Sequence, residues 1–289
     1  MSSIYEIRPE VPRRPRGLLE RIRMEIMSKD NWRRLRPGGE LRSLPDALRQ
    51  TRQRLFAMEA RQKLADANRT PRGSLEFRSQ CGEDSLIWEL LDGQLDGIYV
   101  EVGAFDGVHY SVSSVLDAMG WEGLLVEAIP DRAAECARNR PHAKVEHAAL
   151  CGDATPGTVE FTITADRYGG MLSYSGALGG QDQAPVSAER RRVSVPTTSM
   201  NALLERHFPG RRLDVAVIDV EGAEIGLLKG FDLERWAPRV MIIEDNSLGR
   251  SEALPSAMAA APYVLAGWLT VNRIYVHKDQ SALRVKLGV

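Results

Sequence analysis

Residues 99–111 read YVEVGAFDGVHYS, and the reading of this stretch decides the fold. Tyr99, Val100 and Val102 suit a buried strand, Gly103 and Gly107 let the chain turn tightly, and VHYSVSSVLDAMG at 108–120 predicts a helix whose free N–H groups face the turn. Strand, glycine turn and helix in that order form a nucleotide-binding unit. The turn departs from the dinucleotide pattern GxGxxG, because Phe105 stands where a second glycine would admit a pyrophosphate. Glu101 and Asp106 make it hostile to phosphate and hospitable to a cation or to hydroxyl and amine groups. A carboxylate in a buried strand is costly without a partner, which points to Glu101, Gly103, Asp106 and Gly107 as ligand-binding residues, the alternative being a generic strand-turn with exposed acids.

One strand further on, Glu127 ends GLLVEAIP, 26 residues after Glu101. An acid at a second strand tip accepts hydrogen bonds from both ribose hydroxyls. S-adenosylmethionine meets each of these conditions: adenosine, sulfonium, ammonium and no phosphate. Gln80, ahead of the first strand, is a candidate cover for its methionine end together with Glu83 and Asp84, although GED at 82–84 suits helix capping equally well. Ser111 and Ala149 complete the candidate cofactor contacts.

Around this unit, short apolar runs alternate with helical segments. Ile98–Val102, Leu124–Glu127, Val145–Ala149, Leu213–Val220 and Val240–Glu244 read as strands buried on both faces of a parallel sheet. The expected fold is a three-layer α/β domain with its ligands at the carboxyl ends of the strands. Residues 156–196 break the rhythm: TVEFTIT and RRVSVP read as strands, and the Gly-, Ser- and Tyr-rich stretch between them, with Tyr168, Met171 and Tyr174, is either a substrate lid or a plain surface loop.

The first 75 residues differ in texture. The chain of 289 residues has a net charge of −1, but residues 1–75 hold 18 of its 38 Lys+Arg and 9 of its 39 Asp+Glu. Pro9, Pro12 and Pro15 among arginines predict an extended lead. Leu18, Leu19, Ile22 and Ile26 predict a helix within 17–31, and a second helix is expected from Ser43, with Asp46 three residues on. Its stripe Leu41, Leu44, Leu48, Thr51, Leu55 and Met58 either packs on the body or pairs with its twin in a dimer. The expected division is therefore a basic helical extension, 1–75, and a catalytic domain, 76–289, with homo-oligomerisation through the N-terminal helices. A basic arm also suits peripheral contact with an anionic membrane, whereas nucleic acid is not an expected partner. No stretch approaches the roughly 18 apolar residues of a membrane span, the N-terminus has no apolar run resembling a secretion signal, and a cytoplasmic location is expected. Cys81, Cys136 and Cys151 lack metal or disulfide spacing.

SQCGEDSLIWELL, YVEVGAFDG, GWEGLLVEAIP and VIDVEGAEIGLLKG, spread in that order over residues 77–246, together resemble the FkbM family of S-adenosylmethionine-dependent methyltransferases. The resemblance implies a Rossmann-like seven-stranded, mostly parallel sheet and O-methylation of sugar or polyketide hydroxyls, as in natural product biosynthesis. SVSS at 111–114 replaces a Ser-Asn-Thr frequent in that family, and Ala128 stands where a proline is common.

Asp219, at the tip of the strand in VIDVEGAE, is expected beside the sulfonium as a catalytic residue, with Glu221 on the adjoining turn; helix capping is the competing role. Glu244 and Asp245 end VMIIEDN at the same sheet edge. Asp219, Glu244 and Asp245 can bind Mg²⁺ through oxygen ligands, or simply be solvated. The arrangement is similar to metal-dependent O-methyltransferases acting on catechols and macrolide sugars. Such an ion lowers the pKa of a bound hydroxyl. His109 is a candidate general base, with packing or capping as its alternative. The rivals are N-methylation on the same fold, against which stands the lack of an NPPY-type tetrapeptide, and a noncatalytic oligomeric binding module.

Overall fold

The computed structural model describes residues 44–152, 157–165 and 169–289. The helix expected at 17–31, the Ser43 cap, Leu41 and Tyr168 lie outside the described residues. The chain divides into two compact units, Met1–Gln50 and Thr51–Val289.

The larger unit is built on a seven-stranded sheet. Its strands are β1 (Ile98–Val102), β2 (Glu122–Glu127), β3 (Lys144–His147), β7 (Val215–Ile218), β8 (Val240–Glu244), β9 (Tyr263–Leu269) and β10 (Asn272–His277), in the spatial order β3-β2-β1-β7-β8-β10-β9. All neighbours are parallel except β10, which runs antiparallel to both β8 and β9. This is the Rossmann-like arrangement expected from the alternating runs. The strand order reverses between β1 and β7, so a crevice opens at their carboxyl ends. A smaller sheet, in the order β4-β6-β5, contains β4 (Ala149–Leu150), β5 (Gly157–Thr164) and β6 (Arg190–Thr198).

The two-residue period of a strand sends alternate side chains to opposite faces, and each face has its own core. Ile98, Val100 and Val102 face one side, with Leu124, Val126, Ala216, Ile218, Met241 and Ile243. Helices α5 (Met200–His207), α6 (Glu224–Leu228) and α7 (Ala253–Met258) cover that side through Leu203, Leu204, Leu227 and Met258. Tyr99, Leu125, Val217 and Ile242 face the other side. It is covered by α1 (Leu44–Asp66) from Thr51 onward, α2 (Glu83–Leu90), α3 (Ser114–Met119), α4 (Pro130–Asn139) and α8 (Ser281–Leu287). Each fully buried aliphatic side chain here contributes about 1.5–3 kcal/mol.

Three local expectations are corrected. In α1, Leu55 and Met58 are exposed, so the first of the stripe's two expected roles, packing on the body, falls instead to the face of Phe56, Ala57, Ala60 and Leu64. Trp88 sets this rotation: its indole N–H donates to Glu59, and Lys63 sits over its ring. The helix expected from Val108 begins only at Ser114, because the carboxylate of Asp106 takes the backbone N–H groups of Val108 and His109 into a turn of its own. The run expected to continue to Ala149 ends at His147, since Ala149 and Leu150 pair with β6 in the smaller sheet.

Candidate functional site

Two adjoining recesses open at the carboxyl ends of β1, β2 and β7, sharing Val102, Gly103, Phe105, Met171 and Asp219. The larger, about 750 Å³, has apolar walls from Ile129, Leu150, Phe161 and Leu178. The second, about 580 Å³, is bounded by Gln80, Glu83, Glu101, the 109–112 segment and Asn272. Glu83, Glu101, Glu127, Asp219 and Glu221 line them, and among the described residues neither lysine nor arginine does. Such a lining favours a cation and disfavours a phosphate.

Gly103 lets β1 enter the crevice. Its φ is +82°, and a Cβ there would lie 1.8 Å from the carbonyl oxygen of Asp219, so any side chain would force β1 and β7 apart. Phe105, at the position of the absent second glycine, adopts a left-handed φ of 51°. This strained backbone aims its N–H at the carboxylate of Glu127 at 2.7 Å. The N–H of Ile129 donates to the other Glu127 oxygen at 2.7 Å. Burial pushes the Glu127 carboxyl up to about 7, against the pull of these backbone donors. The group therefore titrates near neutrality while lining the larger recess, where Ala149 also lies.

Glu101 has a different role. Its carboxylate accepts from the hydroxyls of Ser111 and Ser113 and from the N–H groups of Val112 and Ser113. It anchors the segment after the glycine turn as well as lining the second recess. Asp106 and Gly107 line neither recess. Asp106 is buried, which raises its carboxyl, but hydrogen bonds from the His109 ring and from two backbone N–H groups outweigh this and hold it below the usual range. Gly107, with φ +77°, packs where a Cβ would lie 2.8 Å from both Cys136 and Arg140. His109 lines the second recess with its ring Nδ1 against Asp106, so the candidate base is already oriented by a carboxylate. Gln80 and Ser111 line the same recess.

Asp219, Glu221 and Glu244 place carboxylate oxygens within 4.8 Å of one another. Asp219 is exposed, opening onto both recesses. The protein atoms crowded around it raise its carboxyl by desolvation, and the nearby charges of Glu101 and Glu83 add to this. Glu244 is 8% exposed and its Oε2 has no hydrogen-bond partner. Burial, followed by repulsion from Asp219 and Glu221, drives its carboxyl far above the ordinary range. Asp245, which the sequence groups with these acids, stands apart: it accepts from the Arg273 guanidinium at 2.7 Å and from Ser247. Glu221 takes the third place, on a turn with φ 53°. No side chain caps α6, so neither Asp219 nor Glu221 takes that competing role; Glu224 Oε1 accepts from the N–H groups of Val220 and Gly222 in the turn before the helix.

Sequence reasoning missed the apolar walls at Phe161 and Leu178, the Ser113 anchor of Glu101, and Asn272. Asn272 lines the second recess and donates to Glu83 at 2.8 Å. The walls carry no local signal, because they reach the recess from the smaller sheet and its loop. Ser113 was legible only as one letter of SVSS.

The family model described as "Methyltransferase FkbM domain" matches residues 101–260. No curated protein matches the chain significantly. Similar solved structures include a TehB-like SAM-dependent methyltransferase from Corynebacterium glutamicum, at 12% identity and TM-score 0.34, with 78% of this chain and 98% of that chain covered. An O-methyltransferase from Bacillus cereus in complex with SAH aligns at 13% identity and TM-score 0.38, with 77% and 90% covered. The methyltransferase domain of bacterial CtHen1-C aligns at 10% identity and TM-score 0.34, with 68% and 96% covered.

Proposed function

From the premise that the chain belongs to the FkbM methyltransferase family, we propose that it is an O-methyltransferase that moves a methyl group from S-adenosylmethionine to a hydroxyl of a sugar, glycan or polyketide-type product. The observation that carries this reading is the acidic, phosphate-averse lining of the paired recesses. In it the apolar larger recess takes the adenine, Glu127 takes the ribose hydroxyls, and the second recess takes the amino-acid end. Both Glu127 oxygens keep a lone pair beyond their backbone donors, which fits a diol.

Bound there, the cofactor supplies an electrophilic methyl carbon on a cationic sulfur. The acceptor oxygen forms the new C–O bond as the C–S bond breaks, and S-adenosylhomocysteine leaves with the electron pair of that bond. The hydroxyl proton passes to Asp219, whose raised affinity for protons makes it a better base than an ordinary carboxylate. His109, oriented by Asp106, is the alternative acceptor of the proton. The walls of the recesses hold the reactants in line and keep water out, from which much of the rate derives.

The finer reading adds Mg²⁺. The triad Asp219, Glu221 and Glu244 fits such an ion, because three carboxylates converge and a buried Glu244 oxygen lacks a donor. An ion held there would acidify a bound hydroxyl.

Isothermal titration with S-adenosylhomocysteine tests the cofactor assignment: micromolar binding that weakens in Glu127→Ala supports it, and no binding by folded protein overturns it. Mass spectrometry of acceptors carrying one added methyl group tests the substrate class. Turnover indifferent to a chelator would remove the ion.

A further inference from the structure

Arg140 directly follows α4 and is 4% exposed, yet it lines neither recess. Its guanidinium is fully engaged behind them. Nε donates to Asp117 at 3.0 Å, and Nη1 donates to the carbonyl of Gly107 at 2.9 Å and the Ser111 hydroxyl at 3.2 Å. Nη2 donates to the Tyr99 hydroxyl at 2.6 Å and to the carbonyl and hydroxyl of Ser113, both at 3.2 Å. The fork thus grips both ends of the 107–113 segment. The serine hydroxyls it reaches are the same ones that donate to Glu101.

This segment has no regular secondary structure to hold it, because α3 begins only at Ser114. Its front side, from His109 to Val112, forms a wall of the second recess. Desolvating a guanidinium costs several kcal/mol unless its donors are matched. Here that cost is offset by acceptors from the loop, from Tyr99 on β1 and from the Asp117 carboxylate on α3. A lysine, one point charge on a flexible stem, cannot span acceptors on both sides of the loop.

We propose that Arg140 is a positioning residue for the amino-acid half of the cofactor: by clamping the 107–113 segment from behind, it fixes the second recess and the Glu101 carboxylate without touching the ligand. The inference rests on the cofactor orientation proposed above.

The test compares two ligands on the full chain by isothermal titration. S-adenosylhomocysteine has the amino-acid half, and methylthioadenosine has the same nucleoside thioether without it. In Arg140→Lys, the Kd for S-adenosylhomocysteine should rise about tenfold or more, the worth of one charge-assisted hydrogen bond, while that for methylthioadenosine stays within about twofold. A folded Arg140→Lys protein that keeps the wild-type ratio, or loses both ligands by the same factor, overturns the proposal. Should that variant fail to fold, Ser113→Ala, which deletes one hydroxyl between Arg140 and Glu101, decides: the same selective loss of about threefold supports the role, and an unchanged ratio overturns it. Equal affinity of the wild type for both ligands would remove the orientation itself, and the positioning role with it; that outcome is distinct from a wild-type preference that the variants retain.

Discussion

Glu101 and Glu244 lie near the carboxyl ends of β1 and β8, the two strands that flank β7; both are nearly buried, and they differ in what surrounds them. Glu101 accepts four hydrogen bonds from Ser111, Val112 and Ser113. Glu244 has an oxygen with no partner and two acids for neighbours. One carboxylate is engaged in building the site, and the other keeps a buried oxygen with no donor. Burial by itself does not distinguish them, because both lie under 10% exposure, at 5% and 8%. The donors supplied by other parts of the chain do.

Four measurements can break or sharpen this contrast. The largest effect is expected at Asp219, which stands between the two acids. Asp219→Asn keeps the shape but cannot take a proton, so turnover should fall about 10²- to 10⁴-fold while S-adenosylhomocysteine still binds in titration. Retained turnover would pass the role of base to His109.

Glu101→Leu should come next, with a loss of about 3–5 kcal/mol in denaturant unfolding, because it strands serine and backbone donors and leaves Arg140 short of a counter-charge. A loss no larger than that of an ordinary surface substitution would mean that Glu101 is not engaged in structure.

At Glu127 the effect is a pH dependence. The folded carboxyl, pushed up to about 7, holds its proton while the unfolded one, at the ordinary 4.5, has lost it. The folded state therefore binds more protons in that window, and its stability declines as pH rises through it. Affinity for S-adenosylhomocysteine should move the other way, increasing about tenfold as the ionised carboxylate becomes available to the ribose hydroxyls. Glu127→Gln should flatten the profile, and a flat wild-type profile would place the ribose elsewhere.

The smallest effect, and the most telling in sign, is at Glu244. Replacing a buried acid among acids, one of whose oxygens lacks a partner, by Glu244→Gln should raise the melting temperature by a few degrees without Mg²⁺, about the shift of a 1 kcal/mol change. It should also abolish any stabilisation by the ion. A lower melting temperature would mean that Glu244 is as well partnered as Glu101.

The glycine turn with its acids, the strand tip at Glu127 and the alternating strands were legible because each is a local pattern: period-two burial, a positive φ that admits glycine, and spacing set by one βα unit. Asp219 and Glu244 were legible for the same reason, as the last residues of apolar runs. Assignment within the acids was not. Glu244 and Asp245 are adjacent letters, and β8 turns one toward Asp219 and Glu221 and the other toward Arg273 on β10. That another face than the α1 stripe packs on the body was not legible, because Trp88, supplied by α2, chose it.

The sequence by itself determined the strand-turn-helix units, the acidic strand tips and the family. Only the tertiary structure decided which acids are held by donors and which stay open. A carboxylate's chemistry depends on groups within a few ångströms, and here those groups come from elements far apart along the chain.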